Sequence, residues 1–217
     1  MLLARHTVHK VSTSPPFQAD PLLRLIRERR SIRRFEDRPV PRPVLERLLQ
    51  AACWAPSAHN RQPWRFIVLA GAEDKQRLAE AMAARLRADL RADGWDEATV
   101  NRDVERSCQR LTSAPTVILV CLSMGGADSY PDERRQSFEY LMAVQSVAMA
   151  AQNLLLAAHA EGLGACWMCA PLFCQDTVRE VLDLPDDHEP QGVIIVGYPA
   201  EARQKTREPL ETRVVFR

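Results

Sequence analysis

The chain has 217 residues and a formal net charge of +1, a length that suits one large domain or two small ones. Because there is no global basic field, nucleic acid is not expected as the main partner. No uninterrupted apolar run reaches about 20 residues, so no membrane span is predicted. The six cysteines lie mostly in apolar runs, and we expect reduced thiols in a cytoplasmic protein.

The N-terminal residues 1–20 contain Arg5 and Lys10 but lack the continuous apolar segment of a signal peptide. We interpret them as an N-terminal arm that is flexible or wraps a partner. Residues 21–217 contain no repeat and no clear linker, so they are expected to form one domain.

An arginine-rich segment follows the first predicted helix, residues 21–30, in which Asp20 can cap the start and Pro21 fits the first turn. Arginine guanidinium groups grip a phosphate through paired hydrogen bonds, and the Ser31 hydroxyl adds another donor. The segment therefore predicts an anion site. A solvated basic helix end is the alternative.

A second helix is predicted over residues 44–55, and it stops at the polar loop 56–64, which leads into a strand at 66–70. Prolines at both ends pre-shape this loop. Its serine, asparagine and glutamine side chains offer donors and acceptors that suit a planar heterocycle. An ordinary loop with surface amides is the alternative, and His59 could line a site or simply cap the loop.

The remaining predicted elements follow from periodicity and apolar runs. Helices are predicted at 73–92, 98–111, 133–160 and 173–184, and buried strands at 115–122 and 191–198. The helix 133–160 is apolar on almost all sides. We therefore expect it to be covered partly by the core of its own chain and partly by a second subunit. Gly162 and Gly164 indicate a close approach of the backbone to a ligand or another element.

Cys166, Cys169 and Cys174 have spacing that resembles a metal site, but no fourth thiolate or histidine is close in sequence. We therefore predict no metal. No motif for an activated nucleophile or a nucleotide-binding glycine loop is present. The sequence thus combines an anion-binding segment with a pre-shaped polar loop and shows no motif for a nucleophile. This combination favours an enzyme whose chemistry resides in a bound cofactor.

Four segments, taken in chain order, resemble the FMN-dependent nitroreductase family. They are Arg29-Arg30-Ser31-Ile32-Arg33-Arg34-Phe35, Pro56-Ser57-x-x-Asn60-x-Gln62-Pro63-Trp64, Gly162-Leu163-Gly164-Ala165-Cys166-Trp167, and Gly197-Tyr198-Pro199 with Lys205-x-Arg207-x-Pro209-Leu210. The resemblance implies an α+β fold, a nitroreductase-like mixed β-sheet flanked by helices, in an intertwined homodimer with two FMN sites at its interface.

The resemblance also implies where the cofactor lies. The FMN phosphate and ribityl region would be held by Arg29, Arg30, Ser31, Lys205 and Arg207. Arg33 would lie near the flavin pyrimidine ring and tune it electrostatically. The isoalloxazine and ribityl chain would lie along Pro56, Ser57, Ala58, Asn60 and Gln62, and backbone around Cys166 and Trp167 would approach the other flavin edge. Many family members place a further asparagine against the flavin, and its counterpart is not found in this sequence.

Within the family, the segments 130–132, 162–167 and 182–185 resemble the C-terminal domain of coenzyme F-420:L-glutamate ligases. We expect an FMN-dependent oxidoreductase that transfers hydride from NADH, NADPH or a reduced deazaflavin to a planar conjugated acceptor, with a dehydro deazaflavin precursor as one candidate. The alternatives are a general NAD(P)H nitroreductase, a flavin-fragmenting relative that uses oxygen, and a non-catalytic FMN-binding protein.

Overall fold

The computed structural model describes residues 20–217 as one four-stranded sheet with helices on both faces. The helices are α1 (Pro21–Glu28), α2 (Arg42–Cys53), α3 (Ala72–Ala92), α4 (Glu97–Thr112), α5 (Glu133–Ala160) and α6 (Gln175–Val181), and the strands are β1 (Trp64–Leu69), β2 (Thr116–Leu122), β3 (Gly164–Met168) and β4 (Glu189–Gly197). The predicted N-terminal arm, apart from Asp20, lies outside the described residues.

The strands pair in the order β1-β2-β4-β3, and all three pairings are antiparallel. A parallel element is added by the isolated bridge between Ser31 and Ala165, which extends the sheet beyond β3. Every residue of β2 is buried, as predicted from its continuous β-branched run.

Alternate side chains of β2 point to opposite faces and define two cores. Ile118, Val120 and Leu122 pack with residues of α2 and α5. Val117, Leu119 and Cys121 pack with residues of α3, α4 and α6. The chain is therefore a three-layer α+β fold, which confirms the predicted class.

The long helix α5 has the bounds that the sequence predicts, because Asp132 accepts a hydrogen bond from the Arg135 amide and caps its start. One face, including Ala150 and Leu154, is buried against α2 and the sheet. Within residues 20–217, α5 alone is long and apolar enough to cross a membrane, a test that the core helix of a soluble protein also passes.

Two features differ from the prediction. No strand was predicted around Gly164, and the structure has the edge strand β3 there. The helix predicted over residues 173–184 is shorter, since α6 spans Gln175–Val181; Cys174, with a non-helical backbone at φ −152° and ψ 41°, separates it from the 3-10 turn Ala170–Phe173.

Candidate functional site

The arginine-rich segment 29–35 is extended and runs along the outer edge of β3. Helix α1 ends at Glu28, and the Ile32 amide then donates to the carbonyl of Ala165 at 3.0 Å. The segment is therefore a bound edge of the sheet, and the alternative of a solvated helix end does not describe it.

Its far end is tied to the chain that follows β4. Phe35 bridges Pro199, and the Ala200 amide donates to the carbonyl of Arg34 at 3.0 Å. This pairing brings the C-terminal segment, which contains Lys205 and Arg207, alongside the N-terminal arginines. Residues more than 160 positions apart in sequence thus meet at one edge of the sheet.

Three cations collect at the start of this segment. Burial lowers the pKa of Arg29, and the nearby charges of Arg207 and Arg30 lower it further. Arg30 donates from Nη1 to the carbonyls of Arg27 and Arg29, and its buried Nε has no hydrogen-bond partner in the described part of the chain. Across residues 20–217, none of Arg29, Arg30 and Arg207 forms an ion pair with a carboxylate.

A dianion placed among these groups would relieve the mutual repulsion of the three guanidinium groups and supply acceptors for their N–H groups. The residues present therefore fit a phosphate ester. Lys205 is exposed on the same C-terminal segment, and the half-buried Ser31 lies between Arg30 and Ile32 on the opposite strand of the pairing.

Arg33 lies further along the segment and is held by its backbone, because its amide donates to Oε1 of Glu201 at 2.8 Å. Its guanidinium lines a pocket of about 280 Å³ together with Arg110, Trp167 and Met168. This pocket joins a cationic wall to an apolar floor, a combination that suits a flat ring with a polar edge.

Arg110 is a residue that the sequence reading missed. It lies on α4, and its pKa is lowered by burial and then by the charges of Arg33, Arg106 and Arg203. Helix α4 lines this pocket with Ser107, Arg110 and Leu111. None of these is an asparagine, the residue whose counterpart was sought in the middle of the chain. The sequence did not single out Arg110, because α4 carries charged residues along most of its length.

Cys166 and Trp167 form the part of β3 nearest the arginines. Burial raises the pKa of the Cys166 thiol, and the charges of Arg33, Arg110 and Arg29 oppose that shift in part. The Trp167 ring lies against Gly192, where an added Cβ would come within 2.5 Å of Cζ2. The glycine therefore permits the tryptophan to lie flat on β4.

The polar loop 56–64 has a fixed and strained backbone. His59, Asn60 and Gln62 have positive φ values of 51°, 53° and 52°, which is uncommon for residues with a Cβ. The Gln62 amide donates to Oγ of Ser57 at 3.0 Å. The pre-shaping of this loop by its prolines stays a prediction.

The loop is anchored on α5, away from the arginines. The Ala58 amide donates to Oγ of Ser146 at 3.3 Å, and Arg61 bonds Oε2 of Glu139 at 2.6 Å. Pro56 and the side chains of Asn60 and Gln62 are exposed. Among the described residues, the loop bonds to α5 and no hydrogen bond or ion pair joins it to the arginine segment.

The three cysteines that were weighed as metal ligands do not share an environment. Cys166 and Cys174 are buried, whereas Cys169 is exposed and its sulfur accepts a hydrogen bond from Nε1 of Trp167 at 2.8 Å. Within the part of the chain that the structure describes, no three His, Cys, Asp or Glu residues are grouped so as to hold a metal.

The chain is similar to proteins of one family. The model of the nitroreductase family matches residues 26–198. A protein of Methanothermobacter thermautotrophicus named "Putative NADH dehydrogenase/NAD(P)H nitroreductase" is 33% identical over 184 residues, covering 83% of this chain and 78% of that protein. A solved structure from Desulfovibrio desulfuricans, described as "a putative nitroreductase in complex with fmn", is 29% identical, with a TM-score of 0.71, and covers 91% of this chain and 97% of that one. A BluB-like flavoprotein of Clostridium difficile has a TM-score of 0.77 over 90% of this chain and 98% of that one, and its 22% identity shows the fold alone.

Proposed function

The chain belongs to the nitroreductase family, and we propose that it binds FMN and transfers hydride from a reduced nicotinamide or deazaflavin to a planar conjugated acceptor. The observation that carries the proposal is the cluster of Arg29, Arg30 and Arg207, three cations without a carboxylate partner in residues 20–217, next to a pocket that suits a flat ring. One phosphate ester attached to one planar ring satisfies both features. The similar structure from Desulfovibrio desulfuricans is described as a complex with FMN.

In this proposal the phosphate end of FMN is held by Arg29, Arg30, Ser31, Lys205 and Arg207. Guanidinium groups provide paired donors to phosphate oxygens, and the ammonium of Lys205 adds a point charge. The buried Nε of Arg30, which lacks a partner in the described residues, gains an acceptor if a phosphate oxygen reaches it. This end supplies affinity and orientation.

At the ring end, Arg33 and Arg110 bring two positive charges to the ring pocket, which Trp167 also lines. Backbone around Cys166 and Trp167 would approach the other flavin edge. Bound FMN would supply the centre that accepts and gives up hydride. Fixed cations stabilise negative charge that develops on a ring beside them, because they need no reorganisation when it appears. Arg33 and Arg110 thus tune the ring, and no side chain is assigned as acid or base.

We propose that two copies of the chain complete each site, with the loop residues Pro56, Ser57, Ala58, Asn60 and Gln62 along the isoalloxazine and ribityl chain. The loop's hydrogen bonds support the proposal, because in the described residues they reach α5 and none goes to the arginine segment. So does the apolar surface that a single chain leaves exposed. On α5, Phe138 and Leu141 are 50% and 49% exposed, and the C-terminal Phe216 is 91% exposed.

NADH and NADPH are the proposed donors, in keeping with the name of the Methanothermobacter relative. A deazaflavin coenzyme as donor, or its dehydro precursor as acceptor, is a finer proposal that depends on the motif resemblance to F-420:L-glutamate ligases. Part of that motif has a structural role here, because Asp132 caps α5 and the Arg135 guanidinium lies 4.9 Å from the Tyr130 ring. The deazaflavin proposal therefore rests on the segments 162–167 and 182–185.

We further propose that residues 21–217 form a single FMN-binding domain that functions in the cytoplasm. All six cysteines are free thiols, which suits a reducing compartment.

The test is the absorption spectrum of the purified protein, followed by anaerobic titration with NADH, with NADPH and with a reduced deazaflavin. Flavin bands that bleach on titration and return with a nitroaromatic or quinone acceptor would support the proposal. Bound FMN that no acceptor reoxidises faster than oxygen alone would favour a non-catalytic binding protein. Fragmented flavin after aerobic reduction would favour the oxygen-using relative. A protein without affinity for FMN would refute the proposal.

A further inference from the structure

A second pocket beside the ring site is lined by arginines from three parts of the chain. It has a volume of about 410 Å³. Its lining residues are Arg33, Arg34, Phe35, Arg106, Gln109, Arg110, Ser113 and Arg203. No acidic residue lines it. This arginine pocket is large enough for a diphosphate with part of the group it carries.

Most of the positive charge in the arginine pocket is not neutralised by neighbouring side chains. Arg106 pairs with Asp103 at 3.0 Å and Arg203 pairs with Glu201 at 2.9 Å. Arg33, Arg34 and Arg110 form no ion pair with any carboxylate in residues 20–217. Burial and the charges of Arg33, Arg106 and Arg203 lower the pKa of Arg110, as expected when like charges converge without a counter-ion.

The arginine pocket is distinct from the cluster assigned to the FMN phosphate. Neither Arg29 nor Arg207 lines it. It shares Arg33 and Arg110 with the neighbouring ring pocket, which contains Trp167. A ligand in the arginine pocket would therefore lie beside a bound ring and not at its phosphate end.

We propose that the arginine pocket binds the phosphate groups of the electron donor while the donor's hydride-carrying ring lies against the flavin. This inference deepens the proposed function and rests on it. The guanidinium groups of Arg34, Arg106 and Arg203 offer paired donors to phosphate oxygens, and the Gln109 amide and Ser113 hydroxyl add single donors. FMN has one phosphate, which is already matched by Arg29 and Arg207, so a second anion must come from another molecule.

The shared chemistry is a phosphate close to a redox ring, and two sources can supply it. One is the diphosphate of NADH or NADPH. The other is the phosphate of a deazaflavin coenzyme. A neutral nitroaromatic acceptor has no phosphate for this pocket, whereas every proposed donor carries one, and we therefore assign the pocket to the donor.

The first experiment measures binding without turnover. Inorganic pyrophosphate is titrated into the FMN-loaded protein by calorimetry, with wild type, Arg34→Ala, Arg106→Ala and the double variant compared. Each lost contact to a charged group is expected to weaken pyrophosphate roughly tenfold or more. The control is Arg42→Ala, which removes an arginine that is 89% exposed on α2, on the other face of the sheet. Unchanged pyrophosphate affinity in the double variant would overturn the proposal.

The second experiment separates the phosphate from the ring. Anaerobic flavin reduction is followed with NADH, NADPH and the phosphate-free 1-benzyl-1,4-dihydronicotinamide. The double variant should lose roughly tenfold or more in the apparent second-order rate constant with the dinucleotides, and the ratio of dinucleotide to phosphate-free rates should fall with it. If the rate constants for NADH and NADPH fall equally, the pocket binds the diphosphate that both donors carry. If the rate constant for NADPH falls more, the pocket also binds its 2′-phosphate. A parallel assay uses a reduced deazaflavin coenzyme and its phosphate-free riboside as donors, and a loss confined to the deazaflavin coenzyme identifies the other source.

The experiments distinguish a wrong assignment of the arginine pocket from a wrong proposed function. If no donor, including the phosphate-free one, reduces the flavin, the oxidoreductase proposal fails, and pyrophosphate binding still reports on the pocket. If Arg34→Ala and Arg106→Ala lose FMN as well as pyrophosphate affinity, the pocket belongs to FMN and the donor assignment is wrong. Equal rate losses with all three donors would also contradict it.

Discussion

Ile32 packs directly on Gly164: a Cβ built at Gly164 would lie 2.7 Å from Cγ2 of Ile32. The glycine allows the arginine segment to approach β3 closely enough for the Ile32 amide to bond the carbonyl of Ala165. This confirms the sequence-based interpretation that the glycine permits a close approach between elements. The contact also sets where Ser31 and Arg33, on either side of Ile32, are presented.

Gly164→Ala should therefore push the arginine segment away from β3. Overpacking of this kind costs about 1–3 kcal/mol in the free energy of unfolding. FMN occupancy should fall too, because the predicted phosphate ligands move with the segment. Gly126→Ala is a matched control, since no atom lies within 4 Å of its added Cβ. Thermal unfolding and flavin content measure both effects, and wild-type values for Gly164→Ala would contradict the packing argument.

Arg29→Ala should weaken FMN by about 1.5–3 kcal/mol, the range for a hydrogen bond to a charged group. The reason is that Arg29 and Arg207 are close and lack a carboxylate partner in residues 20–217. Fluorescence titration of the apoprotein with FMN and riboflavin measures the effect. Riboflavin affinity should change little in this variant. If wild type bound both flavins equally, the phosphate role would be ruled out.

Arg33→Gln should lower the two-electron potential of the bound flavin more than it weakens FMN binding. A cation beside the ring favours the anionic reduced form over the neutral oxidised form. A shift of roughly 30 mV corresponds to about 1.4 kcal/mol for a two-electron couple. Arg33→Lys keeps the charge and serves as the control, and Arg110→Gln should act in the same direction. An unchanged midpoint in Arg33→Gln by potentiometry would exclude the tuning role.

A carboxylate introduced on the exposed face of α5 should disrupt the proposed homodimer. Leu141→Glu, at a position 49% exposed in the single chain, places this charge where we expect apolar contact. Light scattering should report a smaller mass and a loss of FMN. Trp95→Glu, in the turn between α3 and α4, introduces the same charge at another exposed apolar residue and is the control. A wild-type chain that is monomeric and fully loaded with FMN at low concentration would refute the dimer.

Only two of the six thiols should react quickly with Ellman's reagent in the native protein, because Cys53 and Cys169 alone are fully exposed. All six should react in denaturant. Burial raises the pKa of Cys121 from 9.0 to about 12, so this thiol stays protonated when folded. The unfolded chain loses the same proton at lower pH, and the free energy of unfolding should therefore decrease as pH rises from about 9 toward 12. Unfolding free energies that stay flat over this range would contradict the burial argument for Cys121.

Patterns read over a few residues predicted much of this protein. The bounds of α5 and the buried strand β2 follow from a long apolar stretch without proline or glycine and from a continuous β-branched run. The family follows from four short motifs in chain order. These features are local, so the residues that determine them are neighbours in sequence.

The assembly of the site was decided by tertiary structure. Strand order places β3 at an edge, and only there do segments 29–35 and 198–207 meet. Arg110 could not be found from α4 alone, because its proposed role depends on lining the same pocket as Arg33. The edge strand β3 was missed because a short run with two glycines has no period of its own until β4 pairs with it. A sequence specifies such contacts only through packing of the whole chain, since hydrophobic burial selects which distant segments become neighbours.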